Sequence, residues 1–317
     1  METRRVLRRI RRVCMWAAAL VLAIIVGALA FIGLVYFRLP DVDPLRTERP
    51  AATRYMELRA RELAVPVGGM ARSWVDLDRL PQQLVCAVLL AEDDGFFRHR
   101  GIAWSQVRVA ARRYWQGKRT GGASTITQQL ARNIFLGPER TLRRKLKEAL
   151  LAHKLESSLD KRRILELYLN LIEWAPEGVW GADAASRHYF GQPARALSLF
   201  DSVFLVGLIA APREPLSGPN RARAQRVQRR VLDTMYQVHL IEGPEWAETY
   251  ARLDLVHASL VAGTRVTDAL RAARAVSPGA SLPPPARPDH PPIRWASALD
   301  AECGHQRIPL PARRAAR

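Results

Sequence analysis

Cysteine is scarce in this chain. Cys14, Cys86 and Cys303 are the only three in 317 residues, too few and too scattered for a metal knuckle or a disulfide framework. Lysine is nearly as rare, with five residues against 44 arginines. Acidic residues number 30 against 49 basic ones, which leaves a net charge of +19 and an isoelectric point near 11.0. A surplus of that size calls for a polyanion or an anionic surface as partner, and it speaks to partners rather than to fold. No Gly-x-x-x-x-Gly-Lys-Ser/Thr run is present, so a P-loop is excluded. After the first 40 residues no apolar run approaches 18 residues. What is plentiful is ordinary hydrophobic content, 48%, enough for a sizeable core, and this excludes a wholly disordered chain.

The one long apolar run lies at the N-terminus. Residues 1–12 hold six arginines (Arg4, Arg5, Arg8, Arg9, Arg11, Arg12) against Glu2, and Val13 to Phe37 then runs 25 residues without a charge. A helix of that length spans about 37 Å, enough to cross a bilayer with some tilt. The arginines predict a cytoplasmic N-terminus with the rest of the chain exported. Ala28-Leu29-Ala30 offers a small-x-small cleavage site, but seven apolar residues follow it, and the run is too long for a signal peptide's apolar region. An uncleaved single-pass anchor is therefore expected. Nucleic acid is then excluded as the anionic partner, because most of the chain lies outside the cytoplasm.

Residues 38–75 read as a juxtamembrane connector, broken by Pro40, Pro44, Pro50 and Pro66, with room for a short polar helix near 56–63. From 76 to 240, helix-length periodic segments alternate with Gly- and Pro-containing loops. Sustained period-2 alternation is absent, so a mainly α domain is expected there. A C-terminal extension, 241–317, holds one or two helices over 245–275. Its Pro- and Arg-rich tail from Ser277 has the composition of an extended or disordered segment.

Four segments of the central region carry candidate chemistry. Leu80 to Gly95 reads as a helix with an apolar stripe of Leu84, Val85, Val88 and Leu89, and the next position on that stripe is Glu92. A carboxylate ending an apolar stripe is partly desolvated, which raises its pKa and suits a general base or acid. Gly121-Gly122-Ala123-Ser124-Thr125 reads as a loop delivering caps to a helix N-terminus, an end that can bind an anion. Thr141 to Leu150 is a helix whose buried stripe is read as Leu142, Leu146, Ala149 and Leu150. Arg144 and Glu148 share another face at i, i+4. That pair is either a surface salt bridge or a carboxylate held among cations facing a diphosphate. Lys161 to Asn170 is a further amphipathic helix, in which Glu166 faces either a neighbouring cation or a substrate.

Together these segments resemble glycosyltransferase family 51, the peptidoglycan glycosyltransferases. Glu92-Asp93-x-x-Phe96-x-x-His99-x-Gly101 matches the first family motif, and Gly122 through Leu130 the second. Arg144-Lys145-x-x-Glu148 matches the third, and Ile164 through Asn170 the fourth. They occur in order over roughly residues 75–235. Trp74 to Leu77 and Glu173-Trp174 through Gly191 look like the monofunctional biosynthetic transglycosylases in particular. The resemblance implies a mainly α, lysozyme-like head with a smaller membrane-associated jaw. It implies polymerisation of lipid II into glycan strands at the bacterial inner membrane, with the catalytic domain periplasmic. Carried over by position, Glu92 is the general base, and Glu148 with Arg144 and Arg132 stabilises the leaving diphosphate, directly or through a divalent cation (Mg or Mn). Asp93, Phe96, His99, Ser124, Thr125, Gln128, Gln129, Lys145, Glu166 and Asn170 are the further residues expected to line the substrate site. No organic cofactor is implied. The expected partners are lipid II, the growing lipid-linked strand, the membrane and other cell-wall synthesis or division proteins.

Three departures stand out. Arg132 replaces the usual Lys, Asp94 stands where a basic residue is common, and Ala175-Pro176 replaces a glycine-rich turn. None removes a carboxylate of the expected mechanism. A bifunctional synthase is not expected: the one Ser-x-x-Lys, Ser158 to Lys161, lies between the third and fourth motifs, no Lys-Thr-Gly is present, and the residues that follow the core are few for a transpeptidase domain. Two alternatives remain for comparison, a lytic transglycosylase or lysozyme-type muramidase and a non-catalytic membrane scaffold. The basic second carboxylate site argues against the first, because cleaving a sugar–sugar bond leaves no diphosphate to hold.

Overall fold

A computed structural model describes residues 2–117, 124–139, 141–276, 283–286 and 303. Gly121, Gly122 and Ala123 of the second motif, and most of the tail from Ser277, lie outside the described residues. The described chain is helical, with a single two-stranded hairpin.

Helix α1, Glu2–Phe37, contains the 24-residue stretch Cys14–Phe37, the one described helix long and apolar enough to cross a membrane. The segment after it is more than the connector expected from its prolines. Leu39, Val42 and Leu45 are buried, and Arg163 donates to the Leu45 carbonyl at 2.8 Å while Lys154 donates to the Pro40 carbonyl at 2.9 Å. Helix α2, Arg54–Glu62, begins where the Thr53 hydroxyl accepts from the Met56 amide, and it buries Met56 and Ala60. Proline here shapes a path over the core rather than a free linker.

Helix α3, Gln82–Glu92, is the centre of the fold. Every residue from Leu84 to Leu90 is buried, so the expected stripe is in fact a helix apolar all round, sheathed by neighbours. Helix α4, Trp104–Trp115, is its opposite and buries no residue. Helix α5, Ile126–Phe135, starts at a reciprocal capping box between Thr125 and Gln128. Helices α6, Leu142–Ser158, and α7, Lys161–Leu171, are capped by Thr141 and Asp160. Strands β1, Glu173–Ala175, and β2, Val179–Trp180, pair antiparallel and bury Trp174 and Trp180. At Gly181, φ is +87°, and a Cβ there would stand 2.9 Å from the Asn170 carbonyl, so this turn needs glycine. Helices α8, Ala182–Phe190, α9, Leu199–Val206, and α10, Gly218–Gln237, close the other side, with α9 and α10 packed on α3.

The extension is partly structural. Helices α11, Gly243–Val261, and α12, Val266–Ala275, bury Trp246, Leu253, Val256, Leu270 and Ala273 and continue the core. Cys303 also returns to it: Cys86 in α3 and Cys303 form a disulfide, which corrects the expectation drawn from cysteine count. A separation of 217 residues leaves no spacing pattern to read. Cys14 is free and exposed.

Candidate active site

The C-terminal end of α3 opens into a cleft of about 1120 Å³, whose lining includes Glu92, Asp93, His99, Trp104, Arg113 and Arg230. Glu92 is the last residue of α3 and is half-buried. Its carboxylate accepts one hydrogen bond from the Gln129 amide at 2.8 Å, and Gln129 accepts in turn from the Tyr168 hydroxyl at 3.0 Å. Among the described residues Glu92 forms no ion pair. Burial pushes its pKa up, while the Gln129 hydrogen bond and the charges of Arg230 and Arg132 pull it back. The result is a poised carboxylate held by neutral groups, the environment expected of a proton acceptor.

Several motif residues build the frame for this carboxylate. Asp93 is buried and accepts from the Ile126 amide at the start of α5 and from His99 Nε2, both at 3.0 Å. A carboxylate at a helix N-terminus is stabilised by the unpaired amides and the dipole. Asp93 thus locks α3 to α5 and sets Gln129 against Glu92. The Thr125 hydroxyl donates to the Gly101 carbonyl at 2.6 Å. Phe96 is fully buried, with the Lys161 ammonium 4.3 Å from its ring centroid, and is a core residue rather than the substrate contact expected. Gln128 is likewise occupied by the cap of α5. Asp94 accepts a long hydrogen bond from Gln106 at 3.4 Å.

A second cluster lies along α5 and α6, which pack together. The stripe expected to bury Leu142 is shifted: Leu142 is 91% exposed, and the buried face runs Glu148, Leu151, Ala152, Leu155. Glu148 heads that face with no exposure at all. Arg144 and Lys145 each pair with one of its oxygens, and Lys145 also donates to the Ser124 hydroxyl at 2.9 Å. The surface salt-bridge reading of Arg144 and Glu148 is therefore wrong. Spacing shows which residues share a face but not which face is covered. Arg132 is half-buried, with a buried Nε that has no hydrogen-bond partner. Tyr55 of α2 joins this side, with the Arg213 guanidinium 5.3 Å from its ring centroid. Burial raises the Tyr55 phenol pKa, and the charges it feels are those of Arg132, Arg213, Arg144 and Glu148.

No group of three His, Cys, Asp or Glu side chains suited to a metal ion occurs among the described residues. Glu148 meets two cations, so the donor set here does not fit a protein-held divalent ion. Glu166 and Asn170 spend their hydrogen bonds on other parts of the fold. Asn170 exchanges hydrogen bonds with the Val75 backbone, both at 2.8 Å, and Glu166 accepts from the Leu77 amide at 3.3 Å and pairs with Arg163. They hold the 75–77 segment, where substrate contact was expected. Tyr168, Tyr55 and Arg230 were not singled out by sequence. Tyr168 lies inside the fourth motif, whereas the other two come from distant segments with no local signal.

A family model described as transglycosylase matches residues 61–236. The biosynthetic peptidoglycan transglycosylase of Alcanivorax borkumensis is 35% identical over 237 residues, covering 74% of this chain and 90% of that protein. That of Chromobacterium violaceum is 38% identical over 222 residues, covering 68% and 93%. Penicillin-binding protein 1A of Aquifex aeolicus is 40% identical over 223 residues, and there the match spans 30% of the longer protein.

Proposed function

The chain belongs to the transglycosylase family, and from that premise we propose that it is a peptidoglycan glycosyltransferase extending glycan strands from lipid II. The observation that carries this reading is the pairing of two unlike carboxylates: Glu92 held by neutral groups in an open cleft, and Glu148 buried between two cations of its own helix, α6. Glu92 takes the proton from the 4-hydroxyl of the acceptor GlcNAc. That oxygen attacks C1 of the donor MurNAc, the bond from C1 to the diphosphate oxygen breaks with inversion, and undecaprenyl diphosphate leaves. Negative charge grows on the leaving oxygen, and Arg144, Lys145 and Arg132 supply the positive charge that meets it. Glu148 fixes the two cations of α6 in place.

The rest of the molecule suits a lipid-tailed substrate. Helix α1 serves as a membrane anchor, with the arginine-rich end in the cytoplasm and the cleft outside. Helix α4 exposes Trp104, Val109, Tyr114 and Trp115 beside Arg108, Arg112 and Arg113, the composition of a helix lying in a headgroup layer. The test is polymerisation of labelled lipid II by the full chain in detergent and by Glu92→Gln. Wild type should make polymer, and Glu92→Gln should lose about 10²–10⁴-fold of the rate, the usual range for a missing general base. Cleavage of preformed glycan instead of polymer would favour the muramidase reading. Polymer at an undiminished rate from Glu92→Gln would remove Glu92 as base.

A further inference from the structure

Two consecutive arginines on α10 face different neighbours. Arg229 bonds Asp254 of α11 at 2.6 Å and stacks on Tyr250, 5.1 Å from the ring centroid, so it fastens the C-terminal helices. Arg230 turns to the cleft. Its Nη2 donates to the Ala91 carbonyl at 3.3 Å, one residue before Glu92, and Arg230 lines the cleft with Glu92 and Thr234. It has no acidic partner within 4 Å among the described residues, so its charge is not neutralised locally. No motif read from the sequence includes it.

We propose that Arg230 is a positioning residue for the transfer reaction: it ties the last turn of α3 to α10 and sets a permanent cation across the cleft from the Glu92 carboxylate. This rests on Glu92 being the base. The physical need is specific. A base must be ionised before it can act, yet a carboxylate clamped in a direct salt bridge is too weak a base to accept a proton. A cation held nearby by a backbone carbonyl, without touching the carboxylate, favours the ionised form while leaving its lone pairs free. Arginine keeps that charge across the whole working pH range.

The other charges facing Glu92 cannot replace it. Asp93 and Asp94 follow it in the chain and oppose ionisation, and Asp93 is occupied by His99 and the start of α5. Arg98 donates to the Asp94 carbonyl at 3.3 Å, and Arg113 of α4 lies on the lining of the cleft. From α5 come neutral Gln129 and cationic Arg132, the latter on the side of the Glu148 cluster. From α7 come the Tyr168 phenol, whose pKa burial raises far above its ordinary value, and Lys161, paired with Glu156. Arg230 is the cation on the α10 side, and the charge of Glu92 responds to it more than to Arg132.

The experiment is the pH profile of kcat/KM for lipid II polymerisation by full-length wild type, Arg230→Met and Arg230→Lys, with thermal unfolding of each. Removing the cation shifts the acid limb to higher pH. Arg230→Met should therefore lose at least about threefold more activity at pH 6 than at pH 8.5, relative to wild type, and added salt should narrow the gap. Arg230→Lys should restore the limb. An equal loss at every pH, a rise in KM alone, or an unchanged profile would each overturn the assignment. If Arg230→Met does not fold, Arg230→Lys and Arg230→Gln carry the comparison, since only the second loses the charge. Glu92→Gln run alongside separates the two claims. If Glu92→Gln is inactive and the Arg230 variants keep the wild-type limb, only the role of Arg230 fails. If Glu92→Gln is active, the choice of base fails first.

Discussion

Glu92 is held in a form that suits reaction better than stability. Folding withdraws its carboxylate from water and returns a single neutral hydrogen bond, so its pKa rises above the ordinary glutamate value, with burial the largest cause. The sign of the consequence follows from linkage. A carboxyl group whose folded pKa is raised binds its proton more tightly in the native state. Its contribution to stability is fully present below the unfolded value and is lost as pH rises through the folded one. Glu92→Gln, which cannot ionise, should therefore unfold at a higher temperature than wild type at pH 8. The difference should shrink towards pH 4.5. A gain of a few degrees is expected, each 2–4 °C corresponding to about 1 kcal/mol for a domain of this size. Parallel melting temperatures across that range would mean that the carboxylate is not desolvated in the way its position implies. The site's two carboxylates were legible in the sequence to different degrees. The stripe ending at Glu92 already pointed to desolvation. At Glu148 the i, i+4 spacing gave the partner but not the burial, because the covering residues come from α5 and other elements.

Helices α10 and α11 meet through a polar contact inside an apolar surface. His257 of α11 is 2% exposed, and its Nε2 lies 2.6 Å from Gln228 Oε1, while Gln228 donates to the Phe204 carbonyl of α9 at 2.9 Å. Burial, with help from Arg221, lowers the His257 pKa to about 4. Here the unfolded state binds the proton more readily, so the stability this contact supplies is complete above the unfolded value near 6.5 and falls as pH drops towards 4. His257→Gln, which has no charge to gain, should lose less thermal stability than wild type between pH 7 and pH 5. Equal losses would show that the imidazole is solvated. Gly207 faces the same contact. A Cβ there would stand 2.6 Å from Gln228 Nε2, which explains a glycine at the end of α9 where helix propensity would favour alanine. None of this was visible from residue spacing. Periodicity marked 245–275 as helical, yet which face of α11 is covered depends on α9 and α10, folded about 20 to 50 residues earlier. The same reason hid the packing of 38–75, where prolines are local and Met56 finds its neighbours across the domain.

At the scale of the whole chain, an apolar helix at one end and a disulfide near the other describe one arrangement. A bond between Cys86 and Cys303 closes a loop of 217 residues and ties the far end of the chain to α3, whose last residue is Glu92. Closing so long a loop restricts the unfolded chain, with a stabilising effect of about 5 kcal/mol in the entropy model. Such bonds persist in oxidising compartments and are rare in the cytosol. The six arginines preceding the apolar run point to the same proposed placement, since positive charge flanking a span favours the cytoplasmic side. Cys14, at the start of that run, is free. The three cysteines therefore make a topology assay without any fusion. Membranes are lysed into a thiol-blocking reagent, and the protein is digested and analysed by mass spectrometry without reduction. Cys86 and Cys303 peptides should appear cross-linked to each other and unblocked, whereas Cys14 should carry the reagent. Reduction before heating should then lower the melting temperature of wild type and leave Cys303→Ser unchanged. Full blocking of Cys86 and Cys303 in the freshly lysed sample would mean that the bond is absent in the cell, and would remove the support it gives to an exported cleft.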